Sequence, residues 1–152
     1  MSAFLYLAPC APLRLDFNQQ HQLIELSWLT EFSQSLKPLN GLWKKNLDDY
    51  FTQKPYTFNY PVSTAGTPFQ QRVWQAIQTI PYGHVASYKD IAKLIDSHPR
   101  AVGQACGKNP LPIIVPCHRV VATNGLGGFS LGRREQNLAI KRWLLQHEGA
   151  TW

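Results

Sequence analysis

The chain has 152 residues, 44% of them hydrophobic, which is ample for a buried core and excludes an intrinsically disordered chain. A formal net charge of +6 favours a polyanionic partner, nucleic acid being the simplest. Three cysteines without paired spacing argue against a disulfide framework and for a reducing compartment, and no apolar run reaches the length of a membrane span. A soluble, cytoplasmic protein is expected, with no cofactor and no metal, since Cys10, His21 and His84 lack metal-ligand spacing.

Up to Val62 the pattern is mixed. Leu13, Leu15 and Phe17 alternate with polar neighbours, and after Asn18-Gln19-Gln20 the residues Ile24, Leu26 and Trp28 alternate again, which predicts a hairpin. Leu39, Trp43, Leu47, Tyr50 and Phe51 recur at helical spacing. Tyr56, Phe58, Tyr60 and Val62 return to period two, as a strand would. Residues 63–68, small and polar with glycine and proline, are the best boundary in the chain and predict two domains, 1–65 and 66–152.

Beyond the boundary the chain turns to short helices. Thr67 can cap a helix with Pro68 in its first turn, and Phe69, Val73, Ala76, Ile77 and Ile80 form its apolar face. Ser87 begins a second helix carrying Tyr88, Ile91, Ala92 and Ile95. A turn through Asp96-Ser97-His98 leads to a third, from Arg100 to about Gly107. Two short helices joined by a tight turn outline a helix-turn-helix. Ala101, Gly103, Ala105 and Gly107 line the third helix with very small side chains, for which close approach to a phosphate backbone or tight helix packing are the two explanations. A last helix runs from about Leu138 to His147, stopped by Gly149.

The run Pro116-Cys117-His118-Arg119-Val120 carries the chemistry. A thiol beside an imidazole is a candidate nucleophile, because sulfur attacks as thiolate and histidine titrates near neutrality. Pro112 and Pro116 deny regular hydrogen-bonded structure around Cys117. In an extended segment the two side chains would point to opposite faces, so a turn at Cys117 or a bridging water is needed to couple them. Glu148, in the last turn of its helix, opposes the helix dipole and requires a cationic or hydrogen-bonding partner. A Glu148–His118 pair would make the imidazole more basic. Cys106 reads as a packing residue.

These motifs, with Lys108-Asn109-Pro110-Leu111-Pro112 before the cysteine and Trp143 to Gly149 after it, resemble the O6-alkylguanine-DNA alkyltransferases, the methylated-DNA–protein-cysteine methyltransferases. The resemblance runs from about Gly66 to Gly149. It implies an α/β fold: a small N-terminal antiparallel sheet with a helix, then a mostly helical, winged-helix-like C-terminal domain bearing the helix-turn-helix and the cysteine loop. It further implies Cys117 as nucleophile, His118 as base through a water, Glu148 as its orienter, Asn109 as the residue shaping the loop, and Tyr88 as proton donor and aid to nucleotide rotation. Arg100, Ala101, Gly103 and Arg119 join Tyr88 at the DNA, Arg100 filling the gap left by an extruded base. Phe129, Ser130, Val120 and Pro112 form the base pocket. Two departures stand out: Phe129 replaces the usual tyrosine, and the segment from Gly132 to Asn137 is longer than in the better-known members. The implied partner is duplex DNA containing O6-alkylguanine, with O4-alkylthymine a further candidate, and the implied state is a monomer that reacts once. The competing expectation, a lesion-sensing alkyltransferase-like binding protein that does not repair, is opposed by the presence of Cys117.

Overall fold

Alternating apolar side chains build the sheet of the N-terminal unit. The computed structural model describes residues 1–31, 35–58, 61–127 and 134–152, and the chain divides into two compact units, Met1–Ala65 and Gly66–Trp152. In the first, β1 (Ser2–Leu7), β2 (Pro12–Phe17), β3 (Leu23–Trp28) and the short β4 (Lys37–Pro38) form one sheet in the order β3-β2-β1-β4, with β4 parallel to β1 and the other pairs antiparallel. The β2–β3 hairpin is present, but its buried face differs from simple alternation. Asp16 pairs with Glu25 while Phe17 pairs with Leu23, so Ile24 is an extra residue in β3, a bulge. Leu26 is buried as expected, and across the bulge the side-chain phase reverses, so Leu23 is buried in place of Ile24.

α1 (Gly41–Phe51) turns Trp43, Leu47, Tyr50 and Phe51 inward. The strand expected around residues 56–62 does not form among the described residues. Val62 makes a single bridge to Leu23, and Tyr60 lies outside the described residues. Pro55 and Pro61 have no N–H to give a ladder. The alternation instead reports rings: Tyr56 packs edge-on to Tyr50 at 5.1 Å, and Phe58 stacks on Trp43 at 6.3 Å.

In the second unit α2 (Pro68–Ile77) starts with a full capping box. The Thr67 hydroxyl accepts from the Gln70 N–H, and the Gln70 side chain accepts from the Thr67 N–H. Thr67→Ala is expected to lower unfolding free energy by about 1 kcal/mol in urea denaturation. Gly66 lies against the Trp74 ring so closely that a Cβ would sit 2.6 Å from it. The Trp74 indole N–H in turn donates to the Ala105 carbonyl at 3.0 Å, tying α2 to α4 (Pro99–Gly107).

α3 (Tyr88–Leu94) begins with a second capping box, Ser87 with Asp90. It ends in a Schellman turn: Ser97 N–H donates to the Ala92 carbonyl at 2.8 Å, with Asp96 at φ 56°. Aspartate tolerates that left-handed conformation, so the turn into α4 forms without glycine. α4 starts at Pro99, capped by the His98 imidazole. The two-residue strands β5 (Ala86–Ser87) and β6 (Val120–Val121) pair in parallel, holding the start of α3 beside the end of the cysteine loop. α5 (Arg134–His147) begins four residues earlier than Leu138 and packs on the turn that follows Pro116. This two-unit α/β architecture, with its sheet unit and its helical unit, is the fold expected from the sequence. No helix among the described residues is long and apolar enough to cross a membrane.

Candidate active site

Asn109 organises the loop that carries Cys117. Its Oδ1 accepts from Leu111 N–H at 2.9 Å, an Asx turn, while its Nδ2 donates to the Val115 carbonyl at 2.8 Å and to the Cys117 sulfur at 3.3 Å. Between these anchors Ile113 sits at φ 75°, a conformation unfavourable for a β-branched residue, closed over by the Val115 N–H to Leu111 carbonyl bond at 2.8 Å. Pro116, at φ −80° and ψ 65°, forms an inverse γ-turn in which Cys117 N–H donates to the Val115 carbonyl. The chain then enters a 3₁₀ turn, Cys117–Arg119. The turn answers the geometric objection raised by an extended Cys-His pair, because both side chains now face the interior, Cys117 2% exposed and His118 1%.

α5 stops in a Schellman turn at Gly149 (φ 73°), where Ala150 N–H donates to the Leu145 carbonyl at 3.0 Å and Ala150 buries against Leu145. That stop sends Glu148 inward, 5% exposed. His118 Nε2 lies 2.8 Å from Glu148 Oε2. Arg119 forks onto the same carboxylate, Nε to Oε1 at 2.8 Å and Nη2 to Oε2 at 3.0 Å, and its Nη1 donates to the Ile80 carbonyl at 2.8 Å. Arg119 is therefore 6% exposed and committed inside the protein. Its expected place at the DNA is corrected: it anchors Glu148. Nothing in the sequence distinguishes it from a surface arginine.

Burial pushes His118 below the ordinary histidine range, and Arg119 adds to this, outweighing the upward pull of Glu148. The pairing does not make the imidazole more basic overall, as a Glu148–His118 contact alone would. At neutral pH the ring is neutral, Nε2–H donates to Glu148, and Nδ1 is the basic nitrogen. This has a stability consequence. The unfolded chain takes a proton on this histidine near pH 6.5 and the folded chain resists it, so stability held at pH 7 is lost as pH falls through 6.5 toward the lower folded value. Urea midpoints are expected to fall between pH 7.5 and 5.5, and His118→Asn should reduce that drop.

The Cys117 thiol is held well above the ordinary cysteine range, first by a hydrogen bond with the Cys106 thiol and then by burial, while Asn109 and Lys141 oppose the rise. The resting sulfur is a thiol, so its reaction requires a base. Cys106, expected as a packing residue, is buried in α4.

Tyr88 opens α3, at the strand pair β5–β6 that joins α3 to the end of the cysteine loop. Burial raises its phenol well above the usual range, so it stays protonated. The Lys141 ammonium is 5.6 Å from the ring centroid and 3.5 Å from the hydroxyl, and donates to the Val120 carbonyl at 2.6 Å. Lys141 is fully buried, and burial pulls it down to about 8. It was missed in the sequence, although a lysine three residues before Leu144 and four before Leu145 sits on the apolar stripe of its helix. Gly127, at φ 80°, lies against the Tyr88 ring, where a Cβ would stand 3.0 Å from Cε2. At Gly103 a Cβ would stand 3.9 Å from Cε1 of the same ring, an ordinary contact, so packing against Tyr88 does not by itself require glycine there.

On α4, Arg100 is exposed and Ala101 and Gly103 are half-buried. Gln104, one turn after Arg100 and also exposed, extends this face and was not anticipated. Pro112 is half-buried. The side chain of Val120, expected in the pocket wall, is fully buried in the core; what it offers the site is the carbonyl that holds Lys141. Phe129 and Ser130, and residues 132 and 133 of the lengthened segment, lie outside the described residues.

A buried thiol backed by a neutral imidazole and a forked carboxylate, on a unit that also presents a helix-turn-helix, defines a DNA-directed enzyme class that uses cysteine as its reactive group. Residues 68–150 match the family described as 6-O-methylguanine DNA methyltransferase, DNA binding domain. The chain is 39% identical over 149 residues to the methylated-DNA–protein-cysteine methyltransferase of Metallosphaera sedula, covering 95% of this chain and 91% of that one. It is 49% identical over 112 residues to the constitutive enzyme of Bacillus subtilis, covering 72% and 66%. Its fold matches the crystal structure of Mycobacterium tuberculosis OGT in complex with DNA with a TM-score of 0.83 at 36% identity, covering 98% and 93% of the two chains. The chain belongs to the methylated-DNA–protein-cysteine methyltransferase family, whose enzymes serve DNA repair by alkyl transfer.

Proposed function

We propose that Cys117 removes the alkyl group from O6 of guanine in duplex DNA and keeps it as a thioether. The observation that carries this reading is the linkage of Arg119 to Glu148 to His118, which holds a neutral imidazole behind a protonated thiol. His118 Nδ1 takes the thiol proton through a water, the sulfur bonds to the alkyl carbon, and the carbon–O6 bond breaks. Tyr88 delivers a proton to N3 of the departing guanine, with Lys141 steadying the phenol. Asn109 presents the sulfur through its 3.3 Å hydrogen bond.

O6 lies on the major-groove edge within the base stack, so a protein thiol reaches it only after the nucleotide is turned out. Arg100 takes the vacated place, with α4 in the minor groove and Ala101, Gly103 and Gln104 on the contacting face. Unstacking costs a few kcal/mol, so Arg100→Ala should slow repair of duplex O6-methylguanine by roughly tenfold or more, relative to its effect on free O6-benzylguanine. Equal losses on the two substrates remove Arg100 from this role. Duplex DNA is the partner, the chain acts as a monomer, and O4-alkylthymine is a second substrate by the same displacement.

The decisive experiment is the mass of the intact protein after incubation with duplex O6-methylguanine DNA. One methyl group per molecule, mapped to the peptide containing Cys117, is expected. A methyl group on Cys10 or Cys106, or continued turnover after the protein is consumed, overturns the reading.

A further inference from the structure

The turn that follows α2 is fastened to the residues behind the reactive thiol. His84 N–H donates to the Pro81 carbonyl at 3.1 Å with Gly83 at φ 82°, so Tyr82 and Gly83 are the central residues of a type II turn. Arg119 Nη1 donates to the Ile80 carbonyl at 2.8 Å, just before that turn. The Tyr82 ring lies on the same guanidinium, its centroid 5.8 Å from Cζ. The Tyr82 hydroxyl donates to the His147 carbonyl at 3.4 Å, one of the carbonyls that the end of α5 leaves without a helical N–H. Gly83 sits so close to the Glu148 carbonyl that a Cβ would stand 3.2 Å from it. Tyr82 is 37% exposed and Arg119 6%, so the ring meets solvent and the guanidinium against it does not.

We propose that Tyr82 is a positioning residue for alkyl transfer, its ring closing the solvent side of the Arg119–Glu148 fork and so keeping His118 ready to accept the thiol proton. An ion pair weakens steeply once water reaches it, because the effective dielectric rises. With the ring in place the fork stays dry, and His118 donates to a carboxylate whose charge Arg119 already matches. The charged groups acting on His118 are Glu148 and Lys141 from α5 and Arg119 from its own turn, while the chain leaving α2 adds the Ile80 carbonyl at Arg119. Two further imidazoles belong to these elements. His84 is exposed, with Nδ1 3.2 Å from the Tyr82 carbonyl, and the His147 ring stacks on Trp143 at 4.9 Å. Water entering beside Arg119 relieves the burial that dominates at His118 and screens the charges around it. The imidazole then moves up toward its ordinary value and holds a proton at a pH where it is otherwise free.

The effect on transfer rests on the reading of His118 as the base, whereas the effect on the imidazole does not, so the two are measured separately. His118 in the full-length protein is titrated by NMR of its ring C–H groups, and single-turnover methyl transfer from duplex O6-methylguanine DNA is followed over the same pH range. Tyr82→Leu should raise the His118 midpoint and the acid limb of the rate profile together, by about half a pH unit or more. That is roughly a threefold loss of rate on the acid limb, scored against the variant's own plateau. Tyr82→Phe keeps the ring and should titrate with the unaltered protein. Tyr82→Gln, which also lacks the ring, replaces the leucine variant if that one folds poorly. A lowered plateau with both midpoints in place is what a merely structural role gives, and it overturns the proposal. A shift in Tyr82→Phe as large as in Tyr82→Leu, or an acid limb that moves without His118, overturns it too. A His118 midpoint that moves while the acid limb stays leaves the hold of Tyr82 on His118 standing and removes His118 as the base.

Discussion

Cys117→Ser is expected to abolish alkyl transfer while leaving duplex DNA binding unchanged, measured as the intact mass after incubation with O6-methylguanine DNA and as a binding isotherm on the same duplex. The substitution keeps the turn, because the hydrogen bonds that shape it run through Asn109 and backbone groups on Val115 and Pro116. It removes the reactive species. A serine hydroxyl is far less acidic than a thiol, so a single neutral imidazole cannot supply enough alkoxide for direct displacement at an alkyl carbon. In the parent protein the product thioether is final. Water does not cleave it, and a second thiol does not displace a thiolate from an alkyl carbon. A burst with unit stoichiometry is therefore expected, and residual transfer in the serine protein counts against Cys117 as acceptor.

The second large effect belongs to a residue that touches no substrate. Arg119→Leu leaves Glu148 buried without its forked partner, and breaking such a pair costs about 3–5 kcal/mol, to be read as a lowered urea midpoint. It also changes the state of His118. Arg119 helps hold the imidazole neutral, and with it gone the Glu148 carboxylate draws a proton onto the ring as its remaining cationic partner. The base is then blocked at neutral pH, so transfer slows there and recovers as pH rises. An upward move of the rate–pH profile separates this from simple loss of fold. Arg119→Lys, which keeps the charge and loses the fork, should fall between the two. An unchanged midpoint together with an unchanged profile would show that Glu148 does not depend on Arg119.

Much of the helical unit is legible in the sequence. Thr67 and Ser87 are caps whose partners lie three residues on, and Gly149 ends α5 by a local preference for positive φ, so each acts within one turn of itself. The candidate site residues around Cys117 were equally visible, because proline on both sides and a histidine next door are properties of a short run. The start of α5 is not marked in the sequence, which offers neither a cap nor an apolar stripe there, so the helix begins at Arg134 rather than near Leu138. In the sheet unit the bulge at Ile24 and the missing strand near Tyr56 escaped alternation, since the pattern tells which side chains are covered and not what covers them.

Composition and local motif by themselves determined a basic chain with capped short helices and a cysteine-histidine loop flanked by proline. Tertiary structure alone decided where the charges and thiols went. Arg119 and Lys141 look like surface cations on a chain of net charge +6, and only the packing of α5 on the 3₁₀ turn shows both inside, one on a carboxylate and one on a carbonyl. Cys106 and Cys117 are separated by a proline-rich loop whose path depends on Asn109 and on Ile113 in a left-handed conformation. Sequence spacing does not encode that both are buried, because burial depends on how the elements carrying them pack, and that packing is a property of the whole core rather than of either segment.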